Sequence, residues 1–203
     1  MKRGMLYVIS GPSGVGKSTV VGEIRRKNPD IYFSVSATTR AMRPSDTEGV
    51  TYLFKSREEF EALIDDGYFY EYAEYAGNYY GTPRRPVEEK LAQGIDVILE
   101  IEVQGARQVK QQSPEAVMVF IAAPSFATLE KRLRGRGDTG EEAVRKRLQQ
   151  AREEYRVGPE YDYIVVNEEG AVDIAVNRVS AIMEAEKLRT DRNIDVLKLE
   201  ESL

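Results

Sequence analysis

A chain of 203 residues, 31 % charged and 41 % hydrophobic, has the composition of one soluble globular unit with room for insertions, and its net charge of −5 sets up no basic field to draw in a nucleic-acid polymer. The absence of cysteine and histidine excludes disulfides, thiolate and Ser-His-Asp nucleophiles, phosphohistidine intermediates and histidine-held metals, leaving carboxylates, lysine, arginine and oxygen-ligated metal for any chemistry. No segment approaches the roughly 18 apolar residues of a membrane span, and the apolar run from Met5 to Ile9 behind Met1-Lys2-Arg3 is too short for a secretory signal, so a cytoplasmic enzyme with no membrane partner is expected.

In chain order, Met5-Leu6-Tyr7-Val8-Ile9 reads as a buried strand. Val20, Val21 and Ile24 give the stretch from Thr19 to Arg26 the apolar spacing of an amphipathic helix. Between them stands Gly11-Pro12-Ser13-Gly14-Val15-Gly16-Lys17-Ser18, of the form G-x-x-x-x-G-K-[ST]. Strand, glycine loop and helix in that order are the setting of a phosphate-binding loop. Its backbone N–H groups converge on phosphate oxygens at the positive end of the helix dipole. Gly11 through Thr19 are therefore expected to bind a nucleoside triphosphate, with Lys17 at its β and γ phosphates and the Ser18 hydroxyl on Mg²⁺.

The run Ile31 to Ser36 alternates large and small residues and predicts a second strand, and Thr51 to Phe54 predicts another. Ser56 with Glu59 three residues on is a capping box opening a helix whose buried stripe is Phe60, Leu63 and Ile64, stopped by Gly67. Tyr68 to Tyr80, rich in tyrosine and broken at Gly77-Asn78, predicts two strands in a hairpin. A helix from Pro86 to Gln93 follows, then a strand from Val97 to Val103 ending in acids, a crossover helix from Gln104 to Gln112, and a strand from Val117 to Ala122. Pro83 and Pro86 read as a turn before that first helix. Ser125 caps a helix with Leu129 and Leu133 inward, and Thr139 with Glu142 forms a second capping box opening a helix to about Arg156. Tyr163 to Val166 is the last strand and Val172 to Leu188 the last long helix, with Ala175, Val179 and Ile182 on one face. The tail from Arg189 is either a docked helix or frayed. Apolar strands alternating with helices predict an α/β fold in three layers, with a five-stranded parallel core sheet covered on both faces.

A phosphate-binding loop alone is shared by motors, switches, transporters and kinases. The residues that narrow the field are Thr38-Thr39-Arg40, Arg43, Asp46, Gly49, Tyr52, Phe54 and Lys55. They satisfy every constrained position of T-[ST]-R-x2-[KR]-x2-[DE]-x2-G-x2-Y-x-[FY]-[LIVMK], and on them the chain resembles the guanylate kinase family. The likeness continues through Phe33-Ser34-Val35-Ser36, Gly77-Asn78-Tyr79-Tyr80-Gly81, Arg132-Leu133-Arg134-Gly135-Arg136-Gly137 and Ile164-Val165-Val166-Asn167, and so covers essentially the whole chain in the manner of the bacterial single-domain enzymes.

The resemblance implies a core made of residues 1–35, 83–125 and 159–203, a small α+β GMP-binding insertion at 36–82, and a helical lid at 126–158. It implies Mg²⁺-dependent transfer of the ATP γ-phosphoryl group to GMP, without a covalent enzyme intermediate. Homo-oligomerisation is left open. Ser36, Glu71 and Thr82 would contact guanine, while Arg40, Arg43, Tyr52 and Tyr80 would hold the GMP phosphate. Lys17, Arg40 and the lid arginines Arg132, Arg136 and Arg147 would neutralise charge at the transferring group, and Asn167 would lie near the ATP base. The family usually carries aspartate where this chain has Glu100 and Glu102, each one methylene longer. Glu100 is assigned to the metal through water and Glu102 to GMP, with the division between them open.

Elementary chemistry agrees with this assignment. Guanine presents two donors beside the O6 acceptor, and a carboxylate can accept from both while hydroxyls donate to O6. Adenine offers neither donor, so Glu71 would be left unpaired against it. Read without the resemblance, Glu71 would be an exposed strand carboxylate, and Arg40 and Arg43 a solvated loop. Two arginines three apart beside tyrosines also suit a phosphate clamp, because guanidinium forks match phosphate oxygens. If the arginines of insertion and lid face one another as bare cations, their repulsion should hold the empty site open until both nucleotides bind. The competing classes are a non-catalytic guanylate-kinase-like scaffold module and a kinase of the same fold acting on AMP, a pyrimidine nucleotide or a phosphosugar. The intact loop and the full insertion signature argue against both.

Overall fold

The computed structural model describes residues 2–75, 77–135 and 140–197. In chain order the elements are β1 (Leu6–Ser10), α1 (Lys17–Lys27), β2 (Tyr32–Phe33), β3 (Ala37–Thr38), β4 (Leu53–Phe54), α2 (Arg57–Asp65), β5 (Phe69–Tyr75), β6 (Asn78–Pro83), α3 (Arg84–Ala92), β7 (Val97–Glu100), α4 (Val103–Gln112), β8 (Val117–Ala122), α5 (Phe126–Arg134), α6 (Glu141–Arg156), β9 (Tyr163–Val166), α7 (Val172–Lys187) and α8 (Thr190–Asn193).

Five strands pair in the order β2-β7-β1-β8-β9, every pair parallel. Strand β1 lies in the middle, which is why its apolar run is buried from end to end. Successive side chains point to opposite faces of a strand. Leu6 and Val8, with Leu99 and Met118, therefore pack beneath α3 and α4 through Val87, Leu91 and Val109. Tyr7 and Ile9, with Val119 and Ile121, pack beneath α1, α5 and α7 through Ile24, Leu129 and Val179. Helices on both faces of a parallel sheet make the expected three layers.

A second sheet, ordered β4-β3-β6-β5, interrupts the first between β2 and α3. Its long members β5 and β6 form the antiparallel hairpin expected of the tyrosine-rich stretch. Helix α2, held by the Ser56–Glu59 capping box, lays fully buried Phe60 on this sheet. Phe60 stacks on Phe69 at 4.3 Å and on Tyr79 at 5.2 Å between ring centroids. Phe60, Phe69 and Tyr79 are thus the small aromatic core of this second sheet.

Several boundaries differ from expectation. The second strand keeps only Tyr32 and Phe33, because the chain crosses to the other sheet at Ala37, whose partner is Gly81. Strand β7 stops at Glu100, and Val103 instead opens α4, where it packs on Phe120 and Ala122. An apolar run reads the same whether a strand or a helix buries it. Helix α3 begins at Arg84, two residues before Pro86, which the first turn tolerates because its missing N–H would have had no partner there. Ile164 of edge strand β9 is exposed rather than buried. Helix α6 opens on Gly140, while the Thr139 side of the expected capping box lies outside the described residues. The tail docks at α8, with Arg192 donating to buried Glu186 at 3.2 Å and Lys2 to the Arg192 carbonyl at 3.0 Å, and a 3-10 turn follows over Ile194–Leu197. Among the described residues no helix is long and apolar enough to cross a membrane.

Candidate functional site

The loop between β1 and α1 owes its path to glycine. Gly16 has φ 90°, left-handed backbone that an L side chain rarely adopts, and a Cβ there would sit 2.5 Å from Asn167 Nδ2. The turn delivers Lys17 to the base of a cleft of about 350 Å³, a size suited to a small ligand. Lys17 is buried; its Nζ donates to the Gly11 carbonyl at 2.5 Å and reaches Glu102 Oε2 at 3.4 Å. Ser18 Oγ donates to Glu100 Oε1 at 2.6 Å. Burial pushes the Glu100 carboxyl above the ordinary carboxylate range, opposed by the Ser18 hydrogen bond and the Lys17 charge.

At the opposite side of the cleft, the β5–β6 ladder is irregular between Phe69 and Glu71, and Glu71 turns into the cleft wall. Glu71 is only 4 % exposed, and its Oε1 accepts from Thr82 Oγ1 at 2.6 Å, so it is no exposed strand carboxylate. Burial pushes its carboxyl up to about 7, with the Thr82 side chain and backbone hydrogen bonds pulling the other way. Ser36, Tyr52 and Tyr80 line the same cleft, the two tyrosine rings meeting edge to face at 5.9 Å. Desolvation raises the Tyr52 phenol to about 12, so at neutral pH it is a hydrogen-bond donor.

Arg40 is not a solvated loop residue. Its side chain is 14 % exposed, pairs with Asp46 at 2.9 Å and lies 5.3 Å over the Tyr52 ring. Asp46 also accepts from the Arg43 N–H at 2.7 Å, the largest cause of its lowered pKa. The Arg43 side chain is exposed. Arg132 donates to the carbonyls of Val15, at 3.2 Å, and Asn167, at 2.9 Å, while Asn167 Nδ2 donates to the Val15 carbonyl at 2.8 Å. Both therefore brace the back of the phosphate loop, and neither is among the residues lining the cleft. Arg147 on α6 is half-buried and likewise off the lining, and Arg136 lies outside the described residues. With Asp46 paired to it, Arg40 is not the bare cation that the repulsion expectation requires, whereas Arg132 keeps its charge and gives its donors to backbone carbonyls.

Of the other expected residues, Pro12, Ser13, Gly14, Gly16, Thr19, Glu100 and Glu102 line the cleft; Gly11 and Val15 are buried behind the loop and Thr82 behind Glu71. Sequence reasoning missed Thr51, Tyr75 and Ile101, which also line it, and gave Ser34 no role although it stands in the quoted Phe33–Ser36 run. Off this lining, Glu154 on α6 is a buried carboxyl raised to about 7 by burial and by Glu102, and it too went unremarked in the sequence. Nothing in the spacing of α6 marks that residue apart from its neighbour Glu153.

The site therefore joins a glycine loop bearing a buried lysine to a wall bearing a buried carboxylate and hydroxyls, with Arg40 and Arg43 off the lining and Arg40 stacked on the lining Tyr52. Such a cleft can hold polyphosphate at one side and a hydrogen-bond-donating base at the other. The profile of the family described as guanylate kinase matches residues 3–186. The chain is 54 % identical over 194 residues to a guanylate kinase of Streptococcus thermophilus, covering 95 % of this chain and 92 % of that one. It is 50 % identical over 192 residues to one of Carboxydothermus hydrogenoformans, covering 95 % and 93 %. The crystal structure of guanylate kinase from Anaplasma phagocytophilum superposes with a TM-score of 0.82 at 32 % identity, covering 100 % of this chain and 97 % of that one.

Proposed function

This chain belongs to the guanylate kinase family of phosphotransferases, and from that premise we propose that it transfers the γ-phosphoryl group of ATP to GMP, in line and with Mg²⁺, giving ADP and GDP. The observation that carries the reading is Glu71, a buried carboxylate in the same cleft as the Lys17 loop. Its oxygens accept the two guanine donors and Ser36 donates to O6, while Thr82, whose one proton is given to Glu71, acts on the base through that carboxylate. Arg40 and Arg43, with Tyr52 and Tyr80 as donors, hold the GMP phosphate, and Glu102 supports the bound GMP. The second pKa of a phosphate monoester is near 6, so the attacking oxygen is mostly deprotonated at neutral pH and no general base is required. That suits a chain without histidine.

Lys17 and the loop N–H groups from Gly11 to Thr19 cradle the triphosphate of ATP, and Asn167 lies toward its base. Arg132, Arg136 and Arg147 are assigned to the helical lid at 126–158, which closes with the 36–82 insertion to exclude water that would otherwise hydrolyse ATP. Ser18 Oγ and Glu100 Oε1 are two hard oxygen donors within one hydrogen bond, and among the described residues no group of three carboxyls forms a metal cage. Both facts suit an ion that takes few protein ligands and fills its shell with water and phosphate. When bound, Mg²⁺ supplies neutralisation of charge on the phosphate oxygens. The working place we assign to the enzyme is the cytoplasm.

Coupled ADP release measured with GMP, AMP, CMP and UMP tests the assignment. GMP should be preferred over AMP by on the order of 10⁴-fold, as for sites whose buried polar group is left unpaired by the wrong substrate. Equal turnover of AMP would contradict it.

A further inference from the structure

Strand β5 is an edge strand, so the outward polar groups of its backbone need partners other than a neighbouring strand. Helix α4 supplies them with glutamine side chains. Gln108 Oε1 accepts from the Tyr72 N–H at 3.2 Å and its Nε2 donates to the Tyr72 carbonyl at 2.6 Å, while Gln112 Nε2 donates to the Tyr70 carbonyl at 2.8 Å. These contacts flank Glu71 on both sides in the chain and fix the distance between helix and strand. Three residues before Gln108, on the same face of α4, stands Gly105. A Cβ built on Gly105 would lie 2.0 Å from Glu71 Oε2 and 2.8 Å from its Cδ, closer than real Cβ contacts come.

The carboxylate cannot yield without leaving its place in the cleft wall. Its other oxygen is held by Thr82, fully buried on β6, and the residue as a whole is 4 % exposed. Nor can the helix withdraw while Gln108 and Gln112 grip the strand. From this we infer that Gly105 is a specificity-positioning residue: the missing side chain on α4 forms the slot in which the Glu71 carboxylate stands to meet the guanine edge. The inference rests on Glu71 being the guanine acceptor, and it adds that α4, on the far side of that acceptor from the ligand, sets its position.

The test is a double-mutant cycle on the full chain. In Gly105→Ala, kcat/KM for GMP should fall on the order of 100-fold, the effect of about 1 Å misplacement, carried by KM for GMP while KM for ATP stays within about two-fold. Glu71→Asp, one methylene shorter, should impair the parent enzyme yet partly restore GMP use in the Gly105→Ala background. With the slot emptied by Glu71→Ala, adding Gly105→Ala should leave GMP kinetics unchanged and raise Tm, since alanine favours the helix; this arm also serves if Gly105→Ala alone fails to fold. Unchanged GMP kinetics in folded Gly105→Ala, or independent multiplicative effects of the two sites, would overturn the inference. If Glu71→Gln itself leaves GMP use untouched, the guanine-acceptor reading fails instead, and the two failures are told apart.

Discussion

Replacing Thr82 by valine keeps the shape of a fully buried side chain and removes one donor, the hydroxyl 2.6 Å from Glu71 Oε1. A hydrogen bond to a charged acceptor contributes about 1.5–3 kcal/mol, which at about 1.4 kcal/mol per pKa unit is a further rise of about one to two units. The Glu71 carboxyl, held at about 7 by burial against the pull of Thr82, would then titrate higher. Because the raised pKa delays ionisation and GMP needs the ionised acceptor, GMP use should improve as pH rises through the pKa. At pH 7 the ionised fraction falls from about one half to between about 1 and 10 %, so kcat/KM for GMP drops by roughly 5–50-fold and recovers toward pH 9. The assay is kcat/KM for GMP from pH 6 to 9.5 at saturating ATP, parent against Thr82→Val, with the titration of GMP itself common to both. A midpoint displaced by less than about half a unit would refute the claim that this hydrogen bond sets the charge of the acceptor.

Lys17→Ala should fold with an unchanged circular dichroism spectrum and lose at least about 100-fold in kcat, since a buried cation at the phosphates is gone; near-normal turnover would remove the phosphate-loop assignment. Phe60→Ala empties the small aromatic core on which α2 sits and should cost about 3–5 kcal/mol, read as faster hydrogen exchange in residues 36–82 than in β1 and β8; uniform exchange would show that the second sheet has no stability of its own. Arg136→Ala should reduce kcat far more than it raises KM for GMP, because a charge-neutralising contact matures near the transition state; an effect on KM alone would make it a binding residue.

The strand–glycine loop–helix turn was legible because spacing, preceding strand and following helix are all local, and a local motif survives whatever the rest of the chain does. The hairpin, the three layers and the burial of β1 were legible for a related reason: two-residue alternation and continuous apolar runs report how many faces of a strand are covered. The state of Glu71 was not legible. Its neighbours Tyr70 and Tyr72 are polar-aromatic in either setting, and its burial is decided by α4, contributed from more than thirty residues away. The same non-locality hid the docking of Arg132 on the Val15 carbonyl, which a helical run of basic residues presents as a solvated face. The family resemblance pointed to Glu71 and Arg132 as site residues, yet it carried no signal for Gly105, whose meaning lies in the side chain it lacks.

The central claim is that the γ-phosphoryl group passes from ATP to GMP between two substrates held in one cleft. The direct measurement is to supply ATP labelled at its γ phosphorus with GMP and Mg²⁺, and to locate the label after a single turnover. It should appear at the β position of GDP with none on the protein, and omission of GMP should leave ATP intact. Label retained on the enzyme, released as inorganic phosphate, or carried equally to AMP would contradict the account.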